Sequence, residues 1–287
     1  MAHQEIHWDP WKQIKIPPVW SERSVQPMII CKLRIFLQNV HKNSLITNVI
    51  LETLSYFDII LIQEPPWSEI WKVLSSTNCN GEPLTGTCHH LNWIAFARPP
   101  SNCNDSLRVI SYINIHLSPL QFLLCKDIFD YCDINLISFI NNGSCHYILN
   151  IYSDSSYSAL KYLKDTEVNI SNVLLMTGDF NIRDSLWDPS FPHHSSISDD
   201  LILIADSFGL ALSKPTNPGP TRFSDTDRES NSVIDLMFLR CDSVELDNHS
   251  ILPDSRLSSN HAPLSIEIPI GDEIIHSSRC IISPRSE

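Results

Sequence analysis

Short apolar runs separated by polar turns make up most of the chain from Ile29 onward. Many of these runs alternate apolar and polar residues or are rich in isoleucine, valine, tyrosine and phenylalanine, which is typical of sheet strands. The pattern predicts strands in "MIICKLRIFLQNV", "FDIILIQEP", "WIAFARP", "RVISYINIHL", "CHYILNIYS", "NVLLMTGDF", "SVIDLMFLR" and "APLSIEIPI".

Between some of these runs, apolar residues recur at helical spacing. The spacing predicts helices in "SLITNVILETLSYF", "LQFLLCKDIFDYC", "SALKYLKDTEV" and "SDDLILIADSFGL". Blocks of strands with helices between them favour an α/β or α+β sandwich, in which two sheets lie in the middle and the helices lie outside.

The first 28 residues, which include "KIPPVW" and "VQPM", have no clean periodicity. We therefore divide the chain into an N-terminal extension (1–28), one folded domain (29–268) and a C-terminal tail (269–287). With 287 residues, 43% of them hydrophobic, the chain is long and apolar enough to bury a substantial core.

Targeting and cysteine patterns favour an intracellular protein. No apolar stretch reaches the roughly 18 residues of a membrane span, and the start "MAHQEIHWDPWKQ" lacks the apolar segment of a signal peptide. The nine cysteines include no CxxC pair, which argues against a disulfide framework or a zinc ribbon. The cluster of Cys79, Cys88, His89 and His90 matches no zinc spacing, and we interpret it as a surface loop.

A net charge of −13 argues against a protein that coats nucleic acid, because phosphate binding usually needs clustered lysine and arginine. The charge does not exclude an enzyme that holds phosphates through a metal ion. Carboxylates gathered around a divalent cation form a locally positive site once the ion binds.

Polar residues stand at the ends of several predicted strands. They are Asn39, Glu64, Tyr152, Asp179, Asn181 and Asp235, with Asn260 and His261 directly before the last strand. Open sheets place their chemistry at such an edge. A structural alternative also exists, since Asp179 can cap a turn and Asn181 tolerates an unusual backbone angle. Asp235 is harder to explain in that way, because a carboxylate inside an apolar run needs a partner, which His261 could supply.

These residues resemble the motifs of the endonuclease/exonuclease/phosphatase superfamily, which includes deoxyribonuclease I and the apurinic/apyrimidinic endonucleases. The matching motifs are "QE" at Gln63 and Glu64, "GDFN" at Gly178 to Asn181, "ID" at Ile234 and Asp235, and a closing "SDH" motif that ends at His261. The resemblance covers about residues 29–268 and is nearest to the endonuclease domains of non-long-terminal-repeat (LINE-type) retrotransposons. It implies a deoxyribonuclease I-like, four-layer αββα sandwich with two mixed β-sheets packed face to face.

The resemblance also implies a function, that of a metal-dependent phosphodiesterase that nicks DNA. Magnesium is the implied cofactor, with manganese as a substitute, since Mg²⁺ prefers hard oxygen ligands. The residues implied to hold the metal are Glu64, Asn39 and Asn260. Those implied in catalysis are Asp179, which activates water, Asn181 and Tyr152, which donate hydrogen bonds near the phosphate, and His261, which Asp235 orients and keeps charged.

One residue departs from the superfamily pattern. Asn260 stands where the closing motif has an aspartate. An amide oxygen coordinates a metal weakly, but it brings no negative charge and cannot act as a base. We therefore expect reduced metal affinity or rate, or loss of activity.

Duplex DNA is the expected substrate. The residues expected to contact it are Asn39, Asn181, Arg222 and Arg228, the last two in "PTRFSDTDRESNS", where three carboxylates offset them. The protein is expected to be a monomer without membrane contact, and nuclear if it acts on chromosomal DNA. In the retrotransposons a reverse transcriptase follows in the same polyprotein, so here such an enzyme would act in trans.

Two alternative functions stay open from the sequence. A phosphatase or phosphodiesterase of the same superfamily would act on a substrate other than DNA, although no basic substrate-gripping loop is evident. A catalytically inactive retroelement relic or binding module is the second alternative, which Asn260 favours and the other intact motif residues oppose. Near the site, His193 and His194 fit a solvated turn better than the groove, and Trp67, Trp71 and Trp187 either stack on bases or pack, with packing favoured for Trp71.

Overall fold

The computed structural model describes residues 32–66, 88–98, 107–166, 168, 170–224, 230–240 and 249–270. Several sequence expectations lie outside these residues: the extension at 1–28, the tail from 271 onward, and the residues Trp67, Trp71, Cys79 and Arg228. No helix within the described part is long and apolar enough to cross a membrane.

Two six-stranded mixed sheets form the centre of the fold. In the first sheet the strands run in the order β11 (Ser250–Ile251), β12 (Leu264–Pro269), β1 (Lys32–Asn39), β2 (Ile59–Gln63), β4 (Val109–Asn114) and β3 (Trp93–Phe96). In the second they run β5 (Leu123–Leu124), β6 (Ile134–Asn141), β7 (Ser144–Tyr152), β8 (Val173–Asp179), β10 (Asp235–Arg240) and β9 (Leu210–Leu212). Each sheet contains one parallel pair, β1 with β2 and β7 with β8, and is otherwise antiparallel.

Helices cover the outer faces of both sheets. The three α-helices in the described ranges are α1 (Ser44–Thr53), α2 (Ser158–Asp165) and α3 (Ser196–Ser207). Ile46 and Ile50 of α1 pack with the first sheet, and Leu160 of α2 and Leu201 of α3 pack with the second. These layers confirm the predicted αββα sandwich with two mixed sheets.

Buried polar side chains connect the two sheets near the site. Gln63 on β2 donates from Nε2 to Oδ1 of Asn150 on β7. Ser111 on β4 donates to Oδ1 of Asn135 on β6, at 2.7 Å. Because a buried polar group without a partner costs about 1–3 kcal/mol, these bonds favour one alignment of the sheets over others.

Two expectations about secondary structure need correction. Residues 120–132, predicted as a helix, contain the end of a 3₁₀ helix, the two-residue strand β5 and turns. Strand β6 is absent from the predicted elements, although the Asn142–Gly143 turn after it is a strong hairpin signal, because both residues adopt a left-handed backbone, at φ 48° and 76°. The apolar residues of 120–132 match the period of a helix, but in the structure they form a short strand and pack at the edge of the core.

Candidate active site

In the first sheet, strand ends bring three polar residues to one edge. Asn39 is the last residue of β1, and Glu64 follows β2 directly. The two strands are parallel and paired Asn39 to Gln63, so the two side chains lie at the same end. Arg108 precedes β4, and its backbone oxygen accepts the Glu64 N–H at 2.8 Å.

In the second sheet, three more site residues lie side by side. Asp179 at the end of β8 pairs in register with Asp235 at the start of β10. On its other side Asp179 pairs with Tyr152, the last residue of β7. Since neighbouring strands are about 4.8 Å apart, this register places two carboxylates and a phenol in one row.

Asn39 links the two rows. Its Nδ2 donates to Oδ2 of Asp179 at 2.9 Å and to Oε2 of Glu64 at 3.3 Å. Its Oδ1 accepts the His41 N–H at 2.8 Å, which fixes the orientation of the amide. The amide hydrogens of Asn39 therefore hold carboxylates from opposite sheets close together.

Asp179 is almost completely buried, with 1% of its surface exposed. Burial raises the pKa of this carboxyl group, and the nearby charge of Asp235 raises it further. The charge of His261 and the hydrogen bond from Asn39 act in the opposite direction and only partly offset the rise. A carboxylate with a raised pKa is a better proton acceptor than a free one, which suits it to activate water.

Asp235 and His261 form a buried pair. The Nδ1 atom of His261 lies 2.9 Å from Oδ2 and 3.1 Å from Oδ1 of Asp235. Burial lowers the pKa of His261, but the charge and hydrogen bond of Asp235 and the charge of Asp179 outweigh it and raise the pKa to about 9. The imidazole is therefore a cation at neutral pH, and its Nε2 lies 3.9 Å from Oδ2 of Asp179.

The loop before β12 is tied to the first sheet. Ser259 donates from Oγ to the backbone oxygen of Asn39 at 2.7 Å, and its Oγ accepts the His261 N–H at 3.0 Å. Gln38 donates to the backbone oxygen of His261 at 3.2 Å. In the same loop, the buried Oδ1 of Asn260 has no hydrogen-bond partner among the described residues.

The "GDFN" segment has a local geometric reason for its glycine and its asparagine. A Cβ atom on Gly178 would lie 1.8 Å from the backbone oxygen of Ile151, so only glycine lets β8 approach β7 here. Asn181 has a left-handed backbone, at φ 52°, which asparagine tolerates better than most residues. Its Nδ2 donates to the Ser153 backbone oxygen at 2.8 Å, and its N–H to Asp179 at 3.1 Å.

Tyr152 lies against an arginine at the Glu64 side of the site. The guanidinium carbon of Arg108 is 4.7 Å from the centre of the tyrosine ring. Burial raises the pKa of the phenol, and the charges of Glu64 and Asp179 raise it further. The phenol is therefore protonated at neutral pH and can donate a hydrogen bond.

Three residues at the site are not predicted by the sequence pattern. They are His41, whose Nδ1 lies 3.4 Å from Oε2 of Glu64, and the residues Arg108 and Ser259 described above. His41 and Ser259 are one or two positions from a predicted site residue, and Arg108 is the first residue of a predicted strand. This closeness along the chain could have indicated that these residues belong to the site. The site residue that each one contacts is known only from the fold.

Other residues named from the sequence have different surroundings. The backbone of Arg222 bridges to that of His261, so Arg222 lies beside the site. Trp187 donates to the Ile182 backbone oxygen at 3.2 Å and packs on the core of the second sheet. His194 bridges Asp184 and Asp199, at 2.9 and 3.0 Å, on the turn before α3.

Three of the buried site residues also satisfy the spacing of a metal-binding group. One oxygen or nitrogen atom from each of Asp179, Asp235 and His261 lies within 4.8 Å of the others. Asn39 connects Glu64 to this group through its hydrogen bonds to Glu64 and Asp179, and Asn260 directly precedes His261. The donors are mainly hard oxygens, the type that Mg²⁺ and Mn²⁺ prefer.

Comparisons with known proteins agree with this geometry. Residues 135–265 match the family described as endonuclease-reverse transcriptase. Among solved structures, the endonuclease domain of TRAS1, a telomere-specific non-LTR retrotransposon, is 16% identical, with a TM-score of 0.59 over 83% of this chain and 98% of that one. The AP endonuclease LMAP from Leishmania major is 11% identical, with a TM-score of 0.59 over 84% and 89% of the two chains.

A third similar structure is an endonuclease/exonuclease/phosphatase family protein from Leptotrichia buccalis. It is 13% identical, with a TM-score of 0.53 over 83% of this chain and all of that one, 100%. No curated protein sequence matches the chain. At these identities the structural likenesses establish the fold alone.

Proposed function

We propose that this chain, which has the fold of the endonuclease/exonuclease/phosphatase superfamily and resembles its retrotransposon endonuclease domains, is a metal-dependent DNA endonuclease. One observation carries the proposal: the buried Asp235–His261 pair and Asp179 meet Asn39 and Glu64 at one edge of the two sheets. This set provides a base, a cation and a group for a metal ion, which together serve phosphodiester hydrolysis.

The donor set supports a divalent metal. Glu64 and Asn260 would hold the ion, with Asn39 in its outer shell, because the Asn39 amide oxygen already accepts the His41 N–H. The buried oxygen of Asn260, which has no hydrogen-bond partner among the described residues, would gain one in such an ion. When bound, the ion supplies charge stabilisation for the phosphate oxygens.

Asp179 is the proposed base for the attacking water. Its raised pKa favours proton uptake, while Nδ2 of Asn39 and the backbone N–H of Asn181 hold its two oxygens in place. A fixed carboxylate can thus orient the water before it removes the proton. General-base catalysis of this kind contributes about 10²–10⁴-fold in rate.

His261 is the proposed ligand of a non-bridging phosphate oxygen. Asp235 holds the Nδ1 side, so Nε2 is the nitrogen available for a substrate. Because the imidazole is charged, the hydrogen bond it donates strengthens as negative charge develops in the transition state.

Tyr152 and Asn181 complete the proposed chemistry on the opposite side of Asp179. The protonated phenol of Tyr152 donates a hydrogen bond near the leaving oxygen or the phosphate. The side chain of Asn181 donates to the Ser153 backbone oxygen, and the residue is half-buried. Both residues would favour the crowded transition state over the substrate.

Duplex DNA is the proposed substrate, because two of the similar folds are named an endonuclease domain of a retrotransposon and an AP endonuclease. Arg222 beside His261 is the proposed DNA contact from its loop, with Arg228 further along it, outside the described residues. Action as a monomer on chromosomal DNA, with a reverse transcriptase in trans, is part of the same proposal.

Nicking of supercoiled plasmid tests the proposal. The purified protein should convert supercoiled to open-circular DNA with Mg²⁺ or Mn²⁺ and not with EDTA, and Asp179→Ala should abolish the conversion. The Trp187→Phe variant is a matched control: it alters packing on the core and removes the hydrogen bond to the Ile182 backbone oxygen, but it changes no proposed site residue. If neither the wild type nor the Asn260→Asp variant nicks the plasmid, the proposal is overturned and the phosphatase and relic alternatives remain.

A further inference from the structure

Arg108 lies at the Glu64 and Tyr152 end of the site and is unused by the proposed chemistry. Its position is fixed by strand pairing, because Val109 of β4 pairs with Gln63 of β2, and the Arg108 backbone oxygen accepts the Glu64 N–H. The side chain therefore begins at the same edge as the carboxylates. Its guanidinium stacks on the Tyr152 ring, 4.7 Å from the ring centre.

The charges around the site create a need for a cation at this end. Glu64, Asp179 and Asp235 face the region in which a phosphate must bind, and they repel it. His261 offsets that repulsion at the Asp235 end, one strand beyond Asp179. Tyr152 lies one strand to the other side of Asp179, where Arg108 is the cation stacked on it.

The guanidinium retains hydrogen-bonding capacity. Its ion pair with a described residue is a long one, 4.0 Å from Nε to Oδ1 of Asp133, and 31% of the side chain is exposed. A guanidinium carries five N–H donors in a planar fork that matches two oxygens of a phosphate. The guanidinium also shares a side-chain hydrogen bond with the Tyr152 phenol. Its ion pair within the described ranges is the 4.0 Å contact with Asp133, so some of its five donors remain for a ligand.

We propose that Arg108 binds a phosphate of the substrate strand that neighbours the cleaved bond, on the Tyr152 side, an inference that rests on the proposed function. The Tyr152 ring holds the guanidinium in place through a cation–π contact. Arg108 and His261 then bind the DNA strand at two phosphates, the neighbouring one and the cleaved one, and Asp179 with the attacking water lies between these two contacts. Two fixed points orient the bond better than one.

DNA binding in EDTA tests the inference without any cleavage. A fluorescent duplex is titrated with the wild type, Arg108→Ala, Arg108→Lys and Lys32→Gln at several salt concentrations. Arg108→Ala should weaken binding by about 10- to 100-fold, as expected for a charge-assisted hydrogen bond. It should also make the slope of log K against log salt shallower by about 0.9, the loss of one phosphate contact.

The other two variants separate charge from geometry. Arg108→Lys should keep the salt slope but bind more weakly than the wild type, because lysine lacks the fork. Lys32→Gln removes one positive charge at the opposite end of β1 and should leave both quantities unchanged. Thermal unfolding of each variant checks folding, which a merely structural role would alter without changing the salt slope.

A chemically altered substrate locates the phosphate. At a mapped nick site, the phosphate on either side of the cleaved bond is replaced by an uncharged methylphosphonate. One of the two replacements should weaken wild-type binding by the factor seen for Arg108→Ala and have no further effect in that variant. Additive effects at both positions would overturn the inference.

Failure of this inference and failure of the proposed function give different results. If the wild type binds and nicks DNA but Arg108→Ala has the wild-type affinity and salt slope, the function stands and the Arg108 contact is overturned. If the wild type binds but does not nick, the endonuclease fails, and the affinity and salt slope of Arg108→Ala still decide whether Arg108 contacts a DNA phosphate. If the wild type does not bind DNA, both fail.

Discussion

Asp235 and His261 are joined so that either carboxylate oxygen can accept the Nδ1 hydrogen, at 2.9 and 3.1 Å, while Asp179 lies 3.9 Å from the other nitrogen. The imidazole thus lies between two buried carboxylates. Its positive charge offsets theirs, and the stability of this corner of the fold depends on that charge.

The metal-free protein should lose stability as pH rises from about 6.5 to about 9. The folded pKa of His261 is raised from 6.5 to about 9, so its contribution is complete below 6.5 and lost as pH passes 9. Urea unfolding in EDTA from about pH 6 to about pH 9.5, which brackets this window, measures the loss. In Asp235→Asn the loss should be much smaller, and equal losses in the two proteins would contradict the assignment.

Asp179→Asn should abolish most activity and yet not destabilise the protein at neutral pH. The pKa of Asp179 is raised above its usual 3.8, so its ionisation disfavours the folded state at pH 7. We expect kcat to fall by about 10²–10⁴-fold and Tm in EDTA to stay equal or rise.

Asp184→Asn provides the matched control for Asp179→Asn. Burial alone would raise the pKa of Asp184, but hydrogen bonds from Ser198 and from the backbone of Leu186 and Ser195 lower it to about 2. Its carboxylate therefore stabilises the fold at neutral pH, and its substitution should lower Tm. A fall in Tm for both variants would show that Asp179 is a structural residue.

Asn260→Asp should raise metal affinity and nicking rate while it destabilises the metal-free protein. The unpartnered Oδ1 would gain a negative charge close in sequence to His261, in a loop that lies against other buried carboxylates. Calorimetric titration with Mg²⁺ and Mn²⁺, with unfolding in EDTA, measures both effects. Asn260→Ala should instead leave the metal-free stability close to wild type, and unchanged metal affinity in Asn260→Asp would exclude this residue from the metal site.

Gly178→Ala should destabilise the protein by about 3 kcal/mol or more, because strain of this kind exceeds ordinary overpacking. The added Cβ would lie 1.8 Å from the Ile151 backbone oxygen, which forces β7 and β8 apart at the site. Gly219→Ala is the control, since nothing lies within 4 Å of a Cβ there. Equal denaturation midpoints for the two variants would contradict this close approach of the two strands.

Much of the fold can be predicted from alternation and spacing. The predicted runs contain β1, β2, β8 and β10 entirely and β7 except for its first residue, because each of these strands buries a long apolar face. Strand β6 and the residues 120–132 cannot be assigned in this way. Short apolar runs satisfy the periods of a helix and of a strand equally well, and the partner strand decides between them.

Some residues of the candidate site can be predicted from the sequence, and others cannot. Glu64, Asp179 and Asp235 are evident from the sequence because polar residues at strand ends need no knowledge of the partner. Arg108 and His41 are not, because each acquires its meaning from a neighbour across the fold, Tyr152 and Glu64 respectively. The local sequence pattern does not predict a role that depends on a contact between segments distant along the chain.

The pairing of β1 with β12 makes this site a late product of folding. Asn39 comes from the first described strand and His261 from the loop before the last, and Ser259 bonds them together. During synthesis the early strands emerge first, so the carboxylates stay without their histidine until the end of the domain leaves the ribosome. A nascent or prematurely terminated chain is therefore expected to lack the proposed nuclease activity, which would begin only when the domain is complete.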